Sequence, residues 1–530
     1  MTISGEADVV IVGSGPTGSA YARVLVDALP DAKVLMVEAG PVITEPPGWH
    51  VSNIVDEAER DRVSILSQGP YREAYAPLSD EERALRLSGG IDHAMLRRPG
   101  LFRVGGEPDE EDSFPAAHGS SGVGGMGIHW FGASPRPSMH ERVPFIAPEV
   151  MDEALSTAER MLRVSNTQFA DSPILAPVQK ILGEMFDAGR PADRRVQSMP
   201  MALVREGDVV TRSGPEVLLG SLVRQPPDTF ELRTETVCTR VLMEGGRAVG
   251  VELRDLRTGT LSTVRANYVV VAADSLHTPQ LLWASGIRPA ALGHYLNEHP
   301  QVTLLAIFDN LPGRIADAGQ ADRAGGVLAD TTLISRMTAG VSWIPHSGPD
   351  FPFHCQVTLI DNVSLPPEEL AAANGKPVLS TTFFLTSEIS YDNCVTFSDT
   401  ETDWHGRPKM KLRFRLSDRD RQHIAWADDL LKKMAAALGR PMPGHNPRTP
   451  PNGSSLHYQG TVRMGERDDG TSVCDATSRV WGTENLHVAG NGVIPTETAG
   501  NPTLTSVALA ILGARKIAED VKAAATRTAA

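Results

Sequence analysis

Gly13-Ser14-Gly15-Pro16-Thr17-Gly18 spaces three glycines as G-x-G-x-x-G, and an acid, Glu38, follows twenty positions after the last of them. This spacing is suited to holding a dinucleotide. Gly13 permits a tight turn, Gly15 lets the backbone approach a pyrophosphate, and Gly18 lets a helix pack closely on a strand. A carboxylate at that distance reaches ribose hydroxyls. The first amides of the helix then meet the phosphates with the positive end of the helix dipole. Glu38 would repel a 2′-phosphate, which disfavours NADPH and leaves FAD and NAD. A second glycine cluster, SGVGGMGIHW (121–130), carries no fixed charge and ends in His129 and Trp130. It has too many glycines for an ordinary helix and is too punctuated for a strand.

These residues need a frame. Val9–Val12 is a short apolar, β-branched run of the kind buried in a parallel sheet. A helical pattern runs from Ser19 to Leu29, and KVLMVEAG supplies a second strand that carries Glu38. RANYVVVAADSLHTPQLLWASGI (265–287) repeats strand, turn and helix, with Tyr268–Ala272 as its buried run. Leu486–Ala489, the turn Gly490-Asn491-Gly492 and an amphipathic helix from Leu504 to Val521 do so again. The first and last segments therefore read as parts of one nucleotide-binding sheet. Between them, 302–308, 353–360, 380–386 and 409–416 read as strands, several of them alternating, and suit an antiparallel sheet in a second domain. WIPHSGPDFPFH (343–354) reads as a loop leading into that sheet and gating a substrate, with His346, Phe351 and Phe353 as its contacts. Thr503 and Ser506 are placed to cap the last helix. Residues 51–115 form a charged, Pro- and Gly-rich insertion with an acidic surface run at 106–114.

The bulk properties narrow the class. The 530 residues, 41% hydrophobic and 22% charged, suit a globular chain of two domains or one large composite domain. A net charge of −15 argues against nucleic acid and anionic membrane as partners. No apolar run is long enough to span a membrane. Cys238, Cys355, Cys394 and Cys474 form no C-x-x-C pair, so neither a metal site nor a disulfide framework is expected. With no secretory signal at the start, a reduced cytoplasmic location is the expectation.

With these pieces in order, the chain resembles the glucose–methanol–choline (GMC) family of FAD oxidoreductases. The resemblance is carried by VIVGSGPTGSAYA…VEAG, VVVAADSLHTPQLLWASGI, LGHYLNEHP, SSLHYQGTVRMG and VAGNGVIPTETAGNPTLTS. Within the family, GVGGMGIHW is similar to the flavin-contacting stretch of pyranose oxidases and related bacterial glycoside 3-oxidases. The resemblance implies an α/β, Rossmann-like FAD-binding domain with the GMC fold, and an α+β substrate domain on an antiparallel sheet. The expected division is discontinuous: 1–50, 200–300 and 455–530 bind FAD, 51–199 covers and contacts the flavin, and 301–454 binds substrate. Gly13, Gly15, Gly18, Glu38, Gly125, Met126, His129, Trp130, Val237, Ala273, Asn491, Pro502 and Thr503 would contact the cofactor. His129 matches the histidine that carries the flavin covalently in pyranose oxidases, and it would either bond the flavin edge or pack on it. Ile128 departs from the small hydroxylated residue usual there, and Asn491 stands where the family more often has Asp.

The resemblance further implies chemistry at His457, in HYQGTVRMG, and Asn501, in GNPT. His457 would take the hydroxyl proton while hydride leaves carbon for the flavin, a role that suits an imidazole. Asn501 would orient the alcohol without adding charge. His299, in LNEHP, reads as structural. The implied activity is oxidation of a secondary hydroxyl, at C2 or C3, of a pyranose or glycoside, with O2 reduced to H2O2. The chain would work as a monomer or small homo-oligomer. The alternatives are a sugar dehydrogenase passing electrons to a quinone-type acceptor and a non-redox lyase of the same fold.

Overall fold

A computed structural model of the chain describes residues 3–68, 100–104, 113–207, 209–309, 339–360, 365–403 and 405–529. Most of the charged insertion, including the acidic run except Ser113 and Phe114, lies outside the described residues. Val9–Val12 end strand β1 (Ile3–Val12), which is flanked in parallel register by β2 (Val34–Val37) and by the later half of the strand Leu261–Val271. Val269, Val270 and Val271 of that later register, and Val9–Val12 of β1, lie between neighbours on both sides, which explains the unbroken apolar run. The sheet order is 236–244, 247–255, 261–271, β1, β2, 230–233, with the strand Leu486–Val488 pairing in parallel with the end of 261–271. Segments from the start, middle and end of the chain thus share one sheet, and their carboxyl ends open on one crevice.

Helix α1 spans Pro16–Ala28 and so begins inside the glycine fingerprint, three residues before the expected start. Pro16 explains the difference: it occupies the first turn, where a missing N–H leaves no bond unmade. Gly13 has φ +105°, and a Cβ there would overlap the carbonyl oxygen of Ala272. A Cβ on Gly18 would overlap the carbonyl oxygen of Gly13. Both glycines are therefore demanded by close backbone approach. The last helix runs Thr503–Ala529. Ser506 does not cap it: its hydroxyl donates to the Thr503 carbonyl within the first turn.

The second sheet is antiparallel, ordered 440–441, 301–307, 378–385, 353–359, 341–344, 197–198. Strand alternation divides its faces. Phe353, Cys355 and Val357 join Phe383, Leu385 and the helices Leu175–Phe186 and Asp418–Leu438 in an apolar core. His354, Gln356 and Phe384 take the opposite face, towards the crevice. Two expectations are corrected here. The segment 409–416 does not join this sheet; Pro408–Arg413 pairs with Cys394–Thr402 in a separate ribbon. Leu412 and Phe414 pack there with Phe114, Leu276 and Tyr458, while Lys409, Lys411 and Arg413 face outward. The segment 343–354 is not a free gating loop either. Trp343 and Ile344 lie in the strand Val341–Ile344, and Phe353 and His354 in Phe353–Leu359, and the two strands pair directly. Phe353 is fully buried in the core. Phe351 is held between the rings of Phe186 and Phe353, with the Arg190 guanidinium 3.8 Å from its centroid.

Candidate active site

The crevice at the strand ends encloses a cavity with about 1720 Å3 of empty space, including its mouth. Gly13, Gly15, Glu38, Gly125, Met126, His129, Trp130, Val237, Ala273, Asn491 and Thr503 line it, as do His457 and Asn501. Gly18 and Pro502 do not: Gly18 acts one layer behind, in the packing of α1 on the sheet. His346, Phe351 and Phe353 are also absent from the lining. His346 is 4% exposed, and its Nδ1 lies 2.8 Å from the Ser138 hydroxyl and 3.5 Å from the Glu141 carboxylate.

The residues present fit a flavin dinucleotide. A Cβ built on Gly15 meets nothing within 4 Å, so the backbone there leaves open space where a pyrophosphate belongs. Gly125 approaches Gly15 closely enough that its own Cβ would sit 3.5 Å from the Gly15 Cα. The two glycine clusters therefore meet face to face across the fingerprint. Glu38 locks this arrangement. One carboxylate oxygen accepts from the Gly40 and Gly122 amides at 2.9 and 3.1 Å, the other from the Ser14 amide and hydroxyl at 3.2 and 2.7 Å. The Ser14 hydroxyl in turn accepts from the Gly124 amide at 3.0 Å. Burial pushes the Glu38 carboxyl above its ordinary pKa, opposed by these hydrogen bonds. Glu38 thus ties the fingerprint to the SGVGGMGIHW segment as well as lining the cavity.

Within that segment, the Trp130 indole donates to the Ser213 carbonyl at 2.7 Å, and the Trp130 carbonyl accepts from His50 Nε2 at 2.8 Å. The neighbouring His129 is different. Both its ring nitrogens are shielded from water and have no hydrogen-bond partner among the described residues. Burial lowers its pKa to about 4. A buried imidazole with neither nitrogen satisfied is costly, and here it borders the cavity.

At the cavity's other end, His457 follows Leu456, whose φ of +58° is unusual for a bulky residue and turns the chain so that the imidazole enters the cavity. Asn501 Nδ2 donates to His457 Nε2 at 3.2 Å, and Asn501 Oδ1 accepts from Gln356 Nε2 at 2.8 Å. With Nε2 accepting, the His457 proton sits on Nδ1, which lies 3.0 Å from His299 Nδ1, while the Gln459 amide nitrogen lies 2.9 Å from His299 Nε2. That same His299 nitrogen lies 2.9 Å from the Thr498 hydroxyl. The Phe384 ring stacks on His457 at 5.6 Å between centroids. Behind them, the Ser455 hydroxyl donates to buried Glu298, whose pKa burial pushes up to about 8, and accepts from the His457 amide. Burial lowers the pKa of His457 to about 4, so the ring is neutral near pH 7 and can accept a proton.

The structure therefore brings His457 and Asn501 into contact at the cofactor cavity. It adds three residues that sequence reasoning missed or read otherwise. His299 is in direct contact with His457. Gln356 fixes the Asn501 amide; its signal was available in FHCQV, where two polar residues at alternate positions share one strand face. Glu141, discussed below, left no readable pattern. Among the described residues all four cysteines are buried and unpaired, no group of three or more His, Cys, Asp or Glu is arranged to hold a metal, and no helix is long and apolar enough to cross a membrane.

Comparison with known proteins accords with this geometry. Models of the GMC oxidoreductase family match residues 222–301 and 390–510. A C-glycoside 3-oxidase from Microbacterium trichothecenolyticum is 45% identical over 98% of each chain. A pyranose 2-oxidase from Tricholoma matsutake is 31% identical, covering 96% of this chain and 93% of its own. The solved structure of a formate oxidase from Aspergillus oryzae superposes with a TM-score of 0.65 at 17% identity, covering 98% of this chain and all of that one. The site, the fold and the extent of the match agree, and the chain belongs to the GMC oxidoreductases, a family of FAD-dependent enzymes that act on CH–OH groups.

Proposed function

We propose that the protein oxidises a secondary ring hydroxyl of a sugar, with position 3 of a glycoside as its target and O2 as the electron acceptor. The observation that carries the reading is the His457–Asn501 pair, 3.2 Å apart and open to a cavity whose far end is built for a dinucleotide. The sugar is supported by both oxidases that match over nearly the whole chain, and the position by the C-glycoside 3-oxidase, the more similar of the two. When bound, FAD would accept the hydride that leaves the carbinol carbon. Asn501 orients the hydroxyl through its amide. His457 Nε2 receives the hydroxyl proton, with His299 beside its Nδ1. Phe384, stacked on His457, excludes water from that face. His129 is the proposed point of covalent attachment to the flavin, which would satisfy a ring nitrogen that the protein leaves unbonded.

The test is to mix purified holoprotein anaerobically with a C-glycoside and, separately, with free glucose, and to follow the visible flavin absorbance. Bleaching by a glycoside, hydrogen peroxide on readmission of air, and a 3-keto product by NMR are the expected results. A flavin that stays oxidised with every sugar overturns the reading. Bleaching without peroxide, relieved by a quinone, overturns the choice of acceptor. Acid precipitation shows whether the chromophore stays with the polypeptide.

A further inference from the structure

We infer that Glu141 is a positioning residue for Asn501, its buried carboxylate gripping the backbone that immediately precedes the asparagine. This rests on the reading of His457 and Asn501 given above. Glu141 is only 2% exposed, yet it lies in the short segment 138–141, far in sequence from the site. One carboxylate oxygen accepts from the amides of Ala499 and Gly500, at 2.8 and 3.0 Å. The other accepts from the Ser138 amide at 2.6 Å. The Glu141 carbonyl accepts from the Thr496 hydroxyl at 2.7 Å. His346, in the connection between the strands Val341–Ile344 and Phe353–Leu359, completes the mount, 2.8 Å from the Ser138 hydroxyl and 3.5 Å from the carboxylate. This accounts for the burial of a histidine that the sequence alone suggested for a loop.

The anchored loop matters because, among the described residues, Asn501 is held at two side-chain points, Gln356 and His457. Those bonds set the rotation of the amide, while the position of the Cα depends on the strand of chain before it. Among the described residues, the three hydrogen-bond donors to the carboxylate are N–H groups fixed in the backbone. A carboxylate satisfies them on both sides; a carboxamide cannot, since its NH2 must face one set of donors. Charge-assisted bonds to a buried carboxylate are also the stronger kind. Displacement of Asn501 by a fraction of an ångström would misdirect the alcohol relative to His457 Nε2. Misplacement of about 1 Å by a remote change can slow chemistry on the order of 100-fold.

A double-mutant cycle tests this on flavin-loaded protein, with the anaerobic flavin-reduction rate by a glycoside as readout. Glu141→Gln is expected to slow reduction about 10- to 100-fold in the parent and less than about twofold in an Asn501→Ala background, with KM for the glycoside changing less than kcat. Equal slowing in both backgrounds overturns the inference, because a merely structural role adds to the loss of Asn501. If Asn501→Ala by itself leaves reduction unchanged, the assignment of Asn501 is at fault and the inference falls with it. If Glu141→Gln yields no folded, flavin-loaded protein, Glu141→Asp, which keeps the charge on a shorter arm, passes through the same cycle and is judged by the same outcomes.

Discussion

Replacing His457 by Gln removes the proposed base while leaving a side chain that can still accept from Asn501 and fill much of the same space. The structure sets the size of the effect. Burial places the His457 pKa at about 4, so at pH 7 about one imidazole in a thousand is protonated and nearly every ring is ready to accept. The variant has no such acceptor, and a positioned base contributes on the order of 10²–10⁴-fold, or about 2.7–5.4 kcal/mol of barrier. His457→Gln should therefore slow anaerobic flavin reduction by that factor with the flavin still bound. The sign of the pH dependence follows from the same value. The neutral ring is the active form and its pKa is depressed in the folded protein, so activity is lost only as pH falls through about 4. The parent should show a reduction rate flat from about pH 6 to 8, an interval well above that value. A variant within threefold of the parent, or a parent rate that titrates with a midpoint near the ordinary histidine pKa and loses that titration in the variant, would refute the reasoning.

His129→Ala should release the flavin on acid precipitation if the parent retains it, and measured chromophore in the supernatant checks this; chromophore that stays with the variant's pellet sinks the attachment point. Glu38→Gln should lower flavin content and Tm together, because an NH2 group would face amides and a hydroxyl that now donate to a carboxylate; each buried donor left unpaired costs about 1–3 kcal/mol, and unchanged occupancy by absorbance would contradict the role. Gly18→Ala should abolish flavin binding, since the added Cβ overlaps the Gly13 carbonyl; a variant with normal flavin content and Tm would show that the α1–sheet contact is softer than described.

Much of this site could be read before the fold was known, and the reasons are specific. The fingerprint glycines, Glu38 and the buried runs of β1 and 261–271 combine local residue type with short spacing, so sequence carries them. His457 and Asn501 were legible only through motif resemblance. Their contact depends on the sheet face that bears Gln356 and on a loop tied down by Glu141, both distant in sequence. Alternation marked 353–360 as a strand, yet the Pro/Gly content of 343–354 masked the fact that its two ends pair with each other. The strand at 409–416 had the right period, but periodicity names a buried face without naming the partner that buries it; here that partner is the ribbon strand 394–402 and the helix 274–284. His299 read as structural because nothing local shows that a second imidazole will meet it.

The arrangement of the first sheet has a consequence for biosynthesis. Of the two strands that flank β1, β2 follows closely in the sequence, but Leu261–Val271 is made much later, and Leu486–Val488 and Asn501 later still. During translation, one edge of β1 therefore waits unpaired for a distant neighbour, a state that invites chaperone binding. A polypeptide stopped short of Leu486–Val488 carries the glycine fingerprint and His457 but lacks Asn501, the side chain that His457 meets at the cavity.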